Sequence, residues 1–202
     1  MNTRSVRAVT FDMGGVLFSP PLMAWLPKWE ERLGLVTGSL FPLLHEHPVA
    51  QRAMIGQASA EEMRDETQRR MGLSPEALEE FRADVQPEWN LELLAFIRDL
   101  RSEYKTGVIS NATRGTRERA KEYVNDRTFD MILFSDEEGV AKPDPEIYRR
   151  AVDRLGVSLE ETIYIDDWLP NVEAARQLGM RAVHHSAETS VMQLVKDLLA
   201  SG

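Results

Sequence analysis

Residues 5–17, SVRAVTFDMGGVL, constrain this chain more than any other stretch. Val6, Ala8, Val9 and Phe11 form a short apolar run containing β-branched residues. Such a run reads as a strand buried on both faces, the kind found inside a parallel sheet. It ends at Asp12, which places a carboxylate at the carboxyl end of a central strand, where open α/β sheets bind their ligands. Gly14 and Gly15 follow, and they let the backbone turn sharply and approach a ligand closely. Taken alone, the segment also reads as a strand, a solvated aspartate and a glycine turn.

The remainder divides into two kinds of pattern. From Phe18 to Pro87 no convincing strand occurs. Leu22, Trp25, Leu26, Trp29 and Leu33 recur at helical spacing after the Pro20-Pro21 pair. Short helices are expected at Leu40–Leu44 and Val49–Ile55. Ser59-Ala-Glu-Glu62 has capping-box form, and Ser74-Pro75 opens another helix, lined by Leu78, Phe81 and Val85. These are the marks of a helical bundle, with Trp25, Trp29 and the methionines in its core. From Asn90 onward, helices and strands alternate. Strands are expected at Lys105–Ser110, Met131–Phe134, Ile163–Ile165 and Arg181–His184, and a helix at Thr113–Val124. Alternation of this kind predicts an α/β domain, a parallel sheet with helices on both faces.

Three strand-like runs end in polar residues: KTGVISN at 105–111, VAKPDPEIY at 140–148 and TIYIDDWLPN at 162–171. With Asp12 they supply a carboxylate, a hydroxyl, a lysine and an acidic pair. Asp is a good nucleophile for phosphorus once a cation offsets the repulsion between two anions, and Mg²⁺ prefers oxygen ligands. Ser110 and the backbone donor of Asn111 suit a phosphoryl oxygen, although both residue types are also common helix caps. The Asp166-Asp167 pair reads equally as a cap or solvated turn when considered in isolation.

The set and its order resemble the haloacid dehalogenase-like hydrolase superfamily over roughly residues 4–17 and 90–190. The FDMGGVL opening is most similar to the branch that holds the N-terminal domain of soluble epoxide hydrolase and bacterial sugar-1-phosphate phosphatases. The resemblance implies a Rossmann-like core at 1–17 and 89–202, with a small helical cap inserted at 18–88. It implies Asp12 as nucleophile, and Ser110 and Lys142 as catalytic partners. It places Gly14, Gly15, Ser110, Asn111 and Lys142 around the phosphate. It also implies Mg²⁺ held by Asp12, the Gly14 carbonyl, Asp166 and Asp167. The role of Lys142 rests wholly on this resemblance. Most phosphatases of the family carry a second aspartate where this chain has Gly14, so general acid help is missing at that position.

Composition sets the remaining bounds. A net charge of −9 opposes nucleic-acid binding, and the absence of cysteine excludes disulfides and thiolate chemistry. No apolar run approaches membrane-spanning length. The expectation is a soluble cytoplasmic protein, monomer or homodimer, acting on a small phosphorylated metabolite. A haloacid dehalogenase and a noncatalytic or slow phosphate-binding module are the alternatives. The histidine spacings offer no zinc site, and His184 and His185 read as surface residues at a strand end.

Overall fold

The computed structural model describes residues 5–19, 26–84, 86–186 and 189–200. Leu22, Trp25, Val85 and the Pro20-Pro21 pair lie outside them. In chain order the elements are β1 (Ala8–Phe11), β2 (Phe18–Ser19), α1 (Leu26–Leu33), α2 (Leu40–His45), α3 (Pro48–Met54), α4 (Ala60–Met71) and α5 (Pro75–Asp84). There follow β3 (Glu88–Trp89), α6 (Leu91–Leu100), β4 (Lys105–Ser110), α7 (Thr116–Ala120), β5 (Met131–Phe134) and α8 (Ser135–Glu138). The chain closes with α9 (Pro145–Leu155), β6 (Thr162–Asp166), α10 (Leu169–Gln177), β7 (Arg181–His184) and α11 (Val191–Ala200). No helix among the described residues is long and apolar enough to cross a membrane.

Five strands form one parallel sheet in the order β5-β4-β1-β6-β7. The order reverses at β1, so a crevice opens beyond the carboxyl ends of β1 and its neighbours. The period-2 alternation of side chains explains why both faces are covered. Val9, Phe11, Ile163 and Ile165 pack under α6 and α11 with Leu93, Ile97 and Val195. Ala8, Ile109 and Tyr164 face α9 and α10, against Ile147, Tyr148 and Val172.

The helices α1–α5 enclose a separate apolar cluster of Leu26, Trp29, Leu40, Leu44, Met71, Leu78 and Phe81. Trp29 is fully buried and meets Phe81 edge-on, with centroids 5.2 Å apart, as the helical spacing predicts. The capping box at Ser59 and Glu62 is present.

Three expectations are corrected. The run at 140–148 forms no strand: it lies in the loop after α8 and in the first turn of α9, since Pro143 and Pro145 flank the Asp144 cap. The segment after β1 is not strand-free: β2 pairs antiparallel with β3, Phe18 opposite Trp89, and ties together the two crossings into the helical insertion. Two-residue strands leave no periodicity to read. The helix expected at Thr113–Val124 shortens to α7, because Gly115 at φ +86 sets its start and turns follow Ala120.

Candidate active site

Asp12 immediately follows β1, and its amide donates to the Ile165 carbonyl at 2.8 Å, continuing the ladder to β6. That bond fixes the carboxylate at the rim. Lys142 reaches it from the loop before α9. Its Nζ donates to Asp12 Oδ1 at 2.7 Å, to Asp166 Oδ2 at 2.7 Å and to Tyr164 Oη at 3.0 Å. An ammonium has three protons, so all are used. The Lys142 backbone is fixed as firmly: its amide donates to Asn111 Oδ1 at 2.7 Å, and Asn111 Nδ2 donates to its carbonyl at 2.9 Å.

Asp166 ends β6 and is fully buried. Besides Lys142 it accepts from the Tyr164 hydroxyl, the Trp168 amide at 2.7 Å, and Asn171 Nδ2 at 3.0 and 3.2 Å. Both of its oxygens are therefore engaged. Asp167 is half-buried, and His184 Nε2 lies 3.0 Å from its carbonyl oxygen. Its carboxylate fills the space over Gly15: a Cβ there would come within 2.0 Å of Asp167 Oδ2, and Gly15 has φ +68. Glycine is required at that position on both counts.

Asp12, Asp166 and Asp167 each offer an oxygen, all within 4.8 Å of one another. Three carboxylates around one lysine leave a negative excess. Burial raises Asp12 to about 6, an effect that Lys142 opposes and Asp166 reinforces. Burial, then Asp12 and Asp166, raise Asp167 to about 7. Burial pushes the Lys142 ammonium down, but the two carboxylates outweigh it and hold its pKa above the usual value. A hard divalent cation relieves this excess, and the all-oxygen donor set suits Mg²⁺.

Ser110 ends β4 and is buried at the same rim, its hydroxyl donating to the Asn111 carbonyl at 3.3 Å. No carboxylate stands at Gly14. A Cβ there would lie 3.6 Å from the Phe18 ring, in ordinary contact.

The structure thus gathers Asp12, Lys142, Asp166 and Asp167, with Asn111 hydrogen-bonded to Lys142 and Gly15 under the Asp167 carboxylate. It adds Tyr164 and the Asn171 side chain, which the sequence reading left unused. Their signal was a polar tip two residues before Asp166 on the same strand face, and an amide in the first turn of α10. His185 is corrected from a surface residue to a buried one, because its amide donates to the Asp166 carbonyl at 2.9 Å and draws it inward.

A family model described as haloacid dehalogenase-like hydrolase matches residues 6–179. A phosphorylated carbohydrates phosphatase of Thermotoga maritima is 31% identical over 93 residues, 46% of this chain and 43% of that protein. Bifunctional epoxide hydrolase 2 of Sus scrofa is 26% identical over 215 residues, covering 95% of this chain and 39% of its own length. The chain spans less than half the length of these curated relatives. Among solved structures, a HAD-family enzyme of Bacteroides thetaiotaomicron in complex with magnesium and inorganic phosphate gives a TM-score of 0.73 at 20% identity, covering 94% of this chain and 99% of that one. A dehalogenase gives 0.70 at 21% identity, over 98% and 99%. These two likenesses concern the fold. The family match is of another order, running from β1 to the end of α10 through each strand tip that carries a site residue, and it makes the chain a member of the haloacid dehalogenase-like hydrolases.

Proposed function

We propose that this hydrolase is a Mg²⁺-dependent phosphatase of a small phosphorylated metabolite, working through an aspartyl-phosphate on Asp12. The carrying observation is the three-carboxylate cluster that includes an ion-paired Asp12. Asp12 and Asp167, with the Gly14 carbonyl, are the groups we assign to the cation. Asp166 is the fourth candidate ligand, but its oxygens already accept five hydrogen bonds, which suits it better to orienting Lys142. When bound, Mg²⁺ offsets the charge of the approaching phosphoryl group.

The Asp12 carboxylate attacks phosphorus: an O–P bond forms, the P–O ester bond breaks, and the leaving oxygen departs with the electron pair. Lys142 offsets negative charge beside Asp12, and Ser110 and the Asn111 amide hold the phosphoryl oxygens while Gly14 and Gly15 let the backbone come close. Water then attacks phosphorus, the bond between phosphorus and the Asp12 oxygen breaks, and orthophosphate leaves with Asp12 regenerated; the proton lost by the water passes to solvent, from which the departed oxygen takes its own. With glycine at 14, no carboxylate from that position protonates the leaving oxygen, a service typically worth about 10²–10⁴-fold. The reading therefore favours substrates whose leaving groups depart with little help. Dehalogenation at carbon needs no cation, so the acidic cluster weighs for phosphoryl chemistry. The helical insertion 18–88 serves as the cap that selects substrate.

Phosphate release from a panel of phosphoesters and acyl phosphates, with Mg²⁺ and with chelator, tests the reading. Release that requires Mg²⁺ is expected. Halide release from 2-haloacids without metal, and no phosphate release, would overturn it.

A further inference from the structure

Trp168 directly follows Asp167, and its amide is fixed on Asp166 Oδ1, so the root of its side chain is part of the site. The indole itself joins none of the three apolar clusters found among the described residues. It is half-buried and stacks on Phe41, with centroids 4.8 Å apart and planes at 29°. Its N–H makes no hydrogen bond among the described residues.

Phe41 comes from α2 of the helical insertion. Ser39 makes no side-chain cap for that helix. Instead the buried Glu30 carboxylate accepts from the Gly38 amide at 2.8 Å and the Leu40 amide at 3.0 Å. Phe41 packs against the bundle's apolar cluster and is also half-buried. A turn later, His45 adds a third ring, 4.7 Å from Phe41.

A second, independent observation concerns the other wall. Beside Gly14 stands the Phe18 ring, edge-on to Trp89 at 5.1 Å, where an acid would be needed to protonate a poor leaving group. Aromatic rings therefore neighbour the site at two points, Phe18 beside Gly14 and Trp168 two residues from Asp166. One kind of leaving group satisfies both: a phenol is acidic enough to depart unprotonated and planar enough to stack.

We infer that Trp168 and Phe41 form a leaving-group subsite and that the substrate is an aryl phosphate. The inference rests on the phosphatase reading and names its substrate class. The aryl ring lies against Trp168 with Phe41 closing over it, which requires α2 to withdraw by about one ring thickness, ~3.5 Å.

The test uses the full chain with Mg²⁺ and compares kcat/KM for 1-naphthyl phosphate, glucose 1-phosphate and acetyl phosphate. The aryl ester is expected to exceed the sugar ester. The ratio of aryl to acetyl turnover should fall about tenfold in Trp168→Ala and in Phe41→Ala, and Trp168→Phe should recover most of it. Phenylphosphonate, which has no ester to break, supplies an activity-free readout: it should bind about tenfold tighter than methylphosphonate, and Trp168→Ala should close that gap. Preference for the sugar ester, or equal loss on aryl and acetyl substrates, overturns the aryl inference and leaves the phosphatase reading standing. Absence of phosphate release from all three substrates, acetyl phosphate included, overturns the reading beneath it.

Discussion

At the sheet rim, Lys142 commits all three ammonium protons to buried acceptors within 3.0 Å. In the helical insertion His47 is just as buried, yet its Nε2 has no hydrogen-bond partner among the described residues. The two regions are held by different forces. The rim is held by charge and directional bonds converging on Asp12 and Asp166. The insertion is fixed by apolar packing around Trp29. It meets the rest through β2 and β3, the Phe41–Trp168 stack, the close approach of Gly56 to the Asp136 carbonyl, and the Arg114 guanidinium, which donates to the Gly56 carbonyl at 2.9 and 3.3 Å.

That contrast can be broken by substitution. The largest effect is expected from Lys142→Ala, which strands two buried carboxylates. Removing one partner of a buried ion pair costs about 3–5 kcal/mol. Urea unfolding at pH 8 without metal should show a loss of that size, and a loss under ~1 kcal/mol would mean that the rim is not held by this network. Gly15→Ala comes next. The new methyl group meets the Asp167 carboxylate, so Mg²⁺ binding by calorimetry should weaken about 10–100-fold, the range seen when a ligand's supporting contacts are lost. Unchanged affinity would remove Asp167 from the cation site.

The pH dependence sharpens the same point. Folding raises Asp12 and Asp167 from 3.8 to about 6 and about 7. Between those values the folded state holds more protons than the unfolded one, so these groups make metal-free stability fall as pH rises from about 4 to about 7. Cation binding needs both carboxylates ionised. Mg²⁺ affinity should therefore be about tenfold or more tighter at pH 8 than at pH 6. A flat profile would contradict the clustered geometry. The smallest effect is expected from Arg114→Ala, at most about 1 kcal/mol in unfolding, since it removes hydrogen bonds at an exposed contact. A larger loss would show that the insertion is locked as tightly as the rim.

The same contrast governs what the sequence made legible. Asp12, Asp166 and Asp167 follow apolar runs, and in a parallel sheet the carboxyl ends of neighbouring strands converge, so the order of those motifs sufficed to bring them together; Lys142, in the loop between α8 and α9, was legible only through the family resemblance. Their bond partners were not legible. Tyr164 looks like one more apolar residue of β6 until the period of two sets it on the face of Asp166. The Asn111 amide had a reading only through its backbone, because nothing in a linear chain says that it grips the Lys142 peptide 31 positions on. His185 looked solvated because its burial comes from a rim that its own amide helps to close. In the insertion, helical spacing found the Trp29 core. It could not find β2, β3 or the Glu30 cap of α2, which depend on contacts between segments and carry no repeat.

The central claim is that Asp12 carries the phosphoryl group. The most direct measurement is rapid-quench intact-mass analysis of the chain mixed with acetyl phosphate and Mg²⁺, alongside Asp12→Asn. The account predicts a gain of about 80 daltons, one phosphoryl group, in the native chain, with phosphate release, and neither in the variant. An unmodified chain that releases no phosphate, or an adduct that forms equally on Asp12→Asn, would contradict it.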